Sequence, residues 1–387
     1  MIRLFFTCLL FILLILFQGC RQLETETFPT LVDINTALNL SGENRPELER
    51  VLSYYKDVQP DALKYQAAKY LICNMVASYS VSGEMMDRLK LDVDTTFRDQ
   101  PNALKLMFYL MAARIVQNQG AAIIKYDLQT ITADFLIKNI ESSFAIWMDI
   151  KNNYDLPCKD FFQYILPYRI NNEPFIEWKD STYYCFFGFQ KGGHFSFRLN
   201  DYLDYISAKL PTLYKTEEML NQLSDTLFKG YEVDCIDRAY MGQVIRMLFG
   251  IPVAVDFVPH YPTRENRHYW TSIRDCRCVG TRSDHIRPPY MAKVYRRTSY
   301  LNEIPRDDNN FIPQFLRDPY KIDVTEEYEN VTSLEYKFKK VESNTDYAYL
   351  CVFNNLGWRE VACARLHGRK VRFDKIGRDI VYLFLLL

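Results

Sequence analysis

An excess of charge of either sign is missing from this chain. Its 47 Lys and Arg stand against 48 Asp and Glu, a formal net charge of −1. That balance excludes the global basic footprint of a nucleic-acid or anionic-surface binder. Histidine is scarce, at five. No second cysteine pair and no histidine cluster accompany Cys276-Arg277-Cys278 at zinc spacing, so neither a metal nor a cofactor is expected. Ten cysteines in 387 residues fall far short of a disulfide scaffold. No essential bridge is expected among those at 73, 158, 185, 235, 276, 278, 351 and 363. No internal repeat and no low-complexity linker interrupts the chain. The one long apolar run, Leu4 to Phe17 broken only by Thr7, is too short to span a bilayer comfortably.

That run follows a single positive charge at Arg3 and ends at Gln18-Gly19-Cys20, which reads as a cleaved export signal over 1–20. Gly19-Cys20 is similar to a lipoprotein signal, in which Cys20 becomes the lipidated first residue. Several acyl chains on one cysteine give stable anchoring where a single chain would not. The expectation is a cell-envelope protein tied to the membrane through Cys20, on the periplasmic side or at the cell surface. Ordinary secretion, with Cys20 a plain thiol, is the alternative.

Residues 21–30 read as a polar tether and 31–225 as a mainly helical region. Pro46 sits near the start of a helix running to about Lys56, and Asp61 after Pro60 begins another. Further helices are expected over 101–117, 132–147 and 159–165. The stretch 166–174 breaks the pattern with two prolines and paired amides. Arg169, Glu173 and Trp178 there read as a cleft lip or, more simply, as an Arg–Glu pair bracing a loop beside a buried Trp. Tyr183 to His194 suggests a hairpin or flexible loop, and 201–229 returns to helical spacing. From 315 to 387, short runs of Val, Tyr, Phe and Thr alternate with turn signals at Asn330, Asn344, Asn354-Asn355, Gly368 and Gly377. This suggests a β-sandwich-like domain, and the closing Leu383-Phe384-Leu385-Leu386-Leu387 reads as a buried last strand or as a truncated end. The fold class is therefore α+β. Aromatic residues make up 15% of the chain and are spread along it, which suits a core built from rings before it suits a binding surface.

The chemistry concentrates in 226–305. Ile236, Ala239, Tyr240, Val244, Met247 and Leu248 recur at helical spacing, with Asp234 as N-cap and Asp237 placed to reach back in a capping box. Gly250 and Pro252 stop that helix. Cys235 falls in its first turn, where unpaired N–H groups and the dipole favour thiolate over thiol. Val253 to Val258 reads as a buried strand. His268 opens a second one, on which alternation sets His268, Trp270 and Ser272 on one face and Tyr269, Thr271 and Ile273 on the other. A thiol at a helix start and an imidazole on a neighbouring strand are the parts of thiol acyl transfer, the imidazole taking and returning the proton.

The run GYEVDCIDRAYMGQVIRMLFGIPVAVDF followed by RHYW resembles the transglutaminase-like superfamily. Stretches such as ALNLSGENRPELERVLSYY, YILPYRINNEPFIEW and KVYRRTSY extend the likeness to secreted transglutaminase-like lipoproteins of Gram-negative gut anaerobes. The resemblance implies a papain-like core, a Cys-His-Asp triad and chemistry on amide bonds. Cys235 would be the nucleophile and His268 the base. The third member would be Asp284 or, as the alternative, Asp275. Tyr231 and Trp270 would support the site, with the Cys235 N–H and the Tyr231 side chain at the oxyanion. Downstream, Arg287, Lys293, Arg296 and Arg297 with interleaved tyrosines read as a solvated strand face or a strip for an acidic ligand.

The function expected is an exported amidase or peptidase, hydrolytic rather than crosslinking. Its partner would be a peptide or amide-bearing polymer, glycan-linked or not. The competing class is a non-catalytic surface lipoprotein that holds peptide or glycan in the same cleft, and a third is a scaffold for neighbouring surface proteins.

Overall fold

The computed structural model describes residues 28, 30–99, 102–151, 157–179, 234–248, 250–262, 266–275, 278–282, 290–305, 312–343 and 345–386. The chain is a mixed α+β protein. Asp33 caps α1 (Ile34–Leu40), accepting from the Asn35 and Thr36 N–H groups. Helix α2 (Arg45–Ser53) carries Pro46 in its first turn, where its missing N–H leaves nothing unpaired, and widens without a break into Tyr54–Val58. Asp61 caps α3 (Ala62–Asn74) through the Leu63 and Lys64 N–H groups. Next come β1 (Tyr79–Ser82), α4 (Glu84–Thr96), α5 (Asn102–Asn118), β2 (Ile123–Tyr126), α6 (Ala133–Lys151) and a short α7 (Cys158–Asp160) that runs on into Phe161–Ile165. Strands β1 and β2 pair antiparallel around the α4–α5 hairpin.

Two cores divide this helical part. One gathers Leu48, Val51, Ile72, Leu136 and Ile140 around a ring cluster in which Trp147 stacks on Phe161 at 4.4 Å. The other joins α4 and α5 to α8 (Cys235–Leu248) and β3 (Val253–Val258), through Leu106, Phe108, Val116, Ile236, Val244, Val253 and Val255. The helical region and the segment that begins at Asp234 thus share one apolar interior.

Strands β3, β4 (His268–Asp275), β5 (Cys278–Arg282), β6 (Tyr295–Arg297) and β7 (Lys321–Asp323) form one antiparallel sheet in the order β5-β4-β3-β6-β7. Central β3 is buried along its whole length, which is why it reads as a continuous apolar run broken only by Asp256. Beyond it, β8 (Val331–Lys337) pairs with β11 (Lys370–Gly377), and β9 (Tyr347–Asn354) pairs with β10 (Gly357–Arg365) and β12 (Leu383–Leu386). These two small sheets enclose a core of Leu350, Val352, Val361, Val371, Phe373 and Ile376. Gly377 docks them on the segment before β6: a Cβ there would collide with the Met291 carbonyl oxygen.

Among the described residues, no helix is long and apolar enough to cross a membrane. The signal over 1–20 with Cys20, the tether over 21–27, the segments 183–194 and 201–229, and Tyr231, Cys276, Asp284 and Arg287 all lie outside the described residues.

Candidate active site around Cys235 and His268

Helix α8 begins where the capping pattern puts it. The Asp234 carboxylate accepts from the Ile236 N–H at 2.7 Å and the Asp237 N–H at 3.4 Å, and Asp237 answers by accepting from the Asp234 N–H at 3.2 Å. A remote residue completes the arrangement. Arg114 on α5 donates to both oxygens of Asp237, one at 2.9 Å, and reaches Asp234 at 3.4 Å. The Asp237 side chain is only 1% exposed. Burial pushes its carboxyl above the usual aspartate range, against the downward pull of Arg114. Cys235 is a free, half-buried thiol between these two capping acids.

The helix lies close on the sheet because Gly242 faces β4. A Cβ at Gly242 would approach Thr271 Cγ2 to 3.2 Å. Tyr269 and Thr271 therefore point toward α8, and the Tyr269 ring stacks on Phe257 of β3 at 5.0 Å. Burial raises the Tyr269 phenol above its ordinary value. Arg267 and Arg297 oppose that rise and the nearby Cys235 adds to it. After the tight Gly250-Ile251-Pro252 connection β3 runs back along α8, so its Val258 end lies toward the helix start. His268 pairs with Val258 on the terminal rung of the β3–β4 ladder. Cys235 and His268 thus approach the same end of the sheet. Their routes differ, because alternation sets His268 with Trp270 on the face opposite the helix, where the two rings stack at 5.6 Å.

Behind Trp270 stands a buried polar network. Trp270 Nε1–H donates to the Tyr328 hydroxyl at 3.3 Å, and Tyr328 donates to Asp256. Arg296 holds both Asp256 oxygens at 2.8 and 2.7 Å and both Glu327 oxygens at 2.8 Å. Arg274 adds 2.9 Å to Glu327. This corrects the reading of the basic strip. Arg296 and Lys293 are not on a solvated face but buried, with Lys293 paired to Asp323, while Arg297 pairs with Asp318 at 3.1 Å. The sequence gives no local sign of these pairs, since Asp256 and Glu327 lie 40 and 31 residues from Arg296.

Asp275 closes β4 and pairs with Cys278. It stands seven steps of extended strand from His268, about 23 Å, so it does not hold that ring. The Arg169 loop is braced as the simpler reading had it, with Asp127 as the main partner at 2.5 and 2.7 Å. Glu173 accepts from the Ile170 and Asn171 N–H groups at 2.9 Å each, and buried Trp178 donates to the Tyr168 carbonyl at 2.9 Å.

A cleft of about 940 Å³ with mixed polar and apolar walls opens beside that loop, lined among others by Tyr79, Gln117, Asn171, Asn172, Arg297 and Tyr320. Along its wall Arg297 donates to Asn171 at 3.1 Å, Asn171 to Asn172 at 2.9 Å, Asn172 to Gln117, and Gln117 to the Tyr79 hydroxyl at 3.1 Å. Gln117 stands three residues beyond Arg114 on α5, one turn from the residue that braces the Cys235 helix. Among the described residues, no group of three or more His, Cys, Asp or Glu gathers at metal-binding distance. No family model, no curated protein and no solved structure matches the chain.

Proposed function

We propose that the protein is an exported, lipid-anchored thiol enzyme of transglutaminase-like type, acting on amide or peptide carbonyls. What supports this reading is that Cys235 opens α8 and His268 opens β4 toward the same end of one sheet, with the imidazole leaving that end from the face opposite the helix. In the proposed reaction Cys235 Sγ gives its proton to His268 and bonds to the carbonyl carbon. The backbone N–H of Cys235, with the Tyr231 side chain, meets the oxyanion, since Asp234 already takes the Ile236 and Asp237 N–H groups. The C–N bond then breaks as His268 returns the proton to the leaving amine. Water opens the thioester to release acid and free thiol, or a second amine opens it to form a new amide. Water is present at far higher concentration, so hydrolysis is the assigned outcome. Asp284 is the carboxylate proposed to hold His268. Cys20 is proposed to carry the lipid.

A covalent trap tests the reaction. The protein is mixed with pooled glutamine- and asparagine-containing peptides, quenched in acid and weighed intact, with a parallel sample in hydroxylamine. An acyl adduct confined to Cys235, and peptide hydroxamate in the second sample, support the reading. Neither product, from a thiol shown to be reduced, counts against it.

A second reading, a non-catalytic protein that holds peptide or glycan, is favoured by the hydrogen-bonded amide row in the cleft, which is preformed for polar ligands whatever Cys235 does. Peptide binding unchanged in Cys235→Ala, with no adduct in the wild type, selects it.

A further inference from the structure

This inference rests on the thiol–imidazole reading above. An imidazole has edges and faces. Its edges carry the two ring nitrogens, which the chemistry requires for the thiol and for a carboxylate. One face of His268 lies on Trp270, with centroids 5.6 Å apart and planes 25° from parallel. A cation over an indole face is stabilised by the ring quadrupole, and a neutral imidazole gains less from it.

Trp270 is fixed in its turn. Its N–H bond to Tyr328 and the edge-on approach of the Tyr328 ring, at 5.4 Å and 83°, hold the indole plane. Burial first, and Asp256 next, push the Tyr328 hydroxyl up to about 12, so it keeps its proton through the neutral range. That proton is committed to Asp256, which leaves the oxygen lone pairs for Trp270. Asp256 has no exposed surface and is gripped on both oxygens by Arg296, itself held by Glu327. Each donor in the row from Trp270 through Tyr328 therefore points toward Asp256.

We propose that Trp270, Tyr328 and Asp256 form a positioning unit for His268, holding its imidazole by the face and favouring the protonated ring during acyl transfer. The unit acts through the face, and so works alongside the carboxylate that takes the edge.

The test is a cycle of four full-length proteins: wild type, His268→Ala, Tyr328→Phe and the double variant. The rate of Cys235 alkylation by iodoacetamide is followed by mass spectrometry at neutral pH. Tyr328→Phe is expected to slow alkylation about fivefold when His268 is present and to change nothing in His268→Ala. An equal effect in both backgrounds reports general packing damage and overturns the proposal, as does no effect with His268 present. A second pair guards against misfolding. Trp270→Phe keeps a π face and is expected to hold about half the rate, whereas Trp270→Leu loses about as much as Tyr328→Phe. A Trp270→Leu protein with the wild-type rate overturns the proposal. Equal rates in wild type and His268→Ala would remove the thiol–imidazole reading itself, and the inference with it.

Discussion

Arg114 on α5 grips Asp237 on α8 through two hydrogen bonds that close 123 residues of sequence. One guanidinium thereby fixes the start of the helix that carries Cys235 and ties the helical region to the sheet beneath it. Asp237 serves both as a cap on Asp234 and as the buried partner of that cation.

Replacing the cation leaves a buried carboxylate unpaired. Arg114→Met is expected to destabilise the protein by about 3–5 kcal/mol at neutral pH. The folded-state pKa of Asp237 is raised, so its contribution to stability is fully present below the ordinary aspartate value and is lost as pH rises through the folded one. The variant loses the opposing Arg114, so its loss at neutral pH is larger. Thermal unfolding of both proteins across the acid range should show the gap narrowing as pH falls toward about 4. A gap independent of pH would mean that Asp237 is not the group left uncompensated.

Gly242 offers a second test, of packing. Alanine ordinarily favours a helix over glycine, by about 0.5–1 kcal/mol. Here the added Cβ meets Thr271, a buried strand residue with little room to retreat, and the guanidinium of Arg246, which donates to the Gly242 carbonyl at 3.0 Å. Gly242→Ala is therefore expected to cost about 1 kcal/mol net, and the bulkier Gly242→Val more. Urea unfolding midpoints decide it, and a stabilised Gly242→Ala would show that the helix does not lie that close to β4.

Lys179 carries a third. Its ammonium is buried and donates to Ser143 Oγ and to the carbonyls of Ile165, Leu166 and Pro167, with no carboxylate among these partners. Burial lowers its pKa well below the ordinary lysine value. A depressed folded-state pKa gives stability that is present above the unfolded value and lost as pH falls through the folded one. The wild type should accordingly gain stability between neutral pH and about pH 10, by at most about 1.4 kcal/mol per unit, and Lys179→Met should not. Urea melts at several pH values make the comparison, and parallel slopes would contradict it.

What was legible in the sequence was what local chemistry decides. The bounds of α8 follow from Asp234, Asp237 and the Gly250-Ile251-Pro252 stop, and β3 and the opening of β4 follow from an apolar run and an alternation. Helix α4 was not expected, because only Met86 and Val93 along it are fully buried and its apolar signal is thin. The polar architecture was illegible for another reason. Trp270 and Tyr328 lie 58 residues apart, and Arg114 and Asp237 lie 123 apart, and nothing near either partner announces the other. Arginines on a short strand look alike whether a carboxylate or water waits beyond them, so Arg296 read as a solvated face.

The measurement closest to the central claim is the pH dependence of Cys235 alkylation by iodoacetamide, followed site by site in the wild type and in His268→Ala. A coupled pair predicts that at neutral pH the wild-type thiol reacts about tenfold faster than in His268→Ala, whose profile moves to higher pH. Cys73 and Cys351, both buried, serve as controls within the same chain and should respond to neither change. Superimposable Cys235 profiles in the two proteins would contradict the account, because the thiol would then ignore the imidazole.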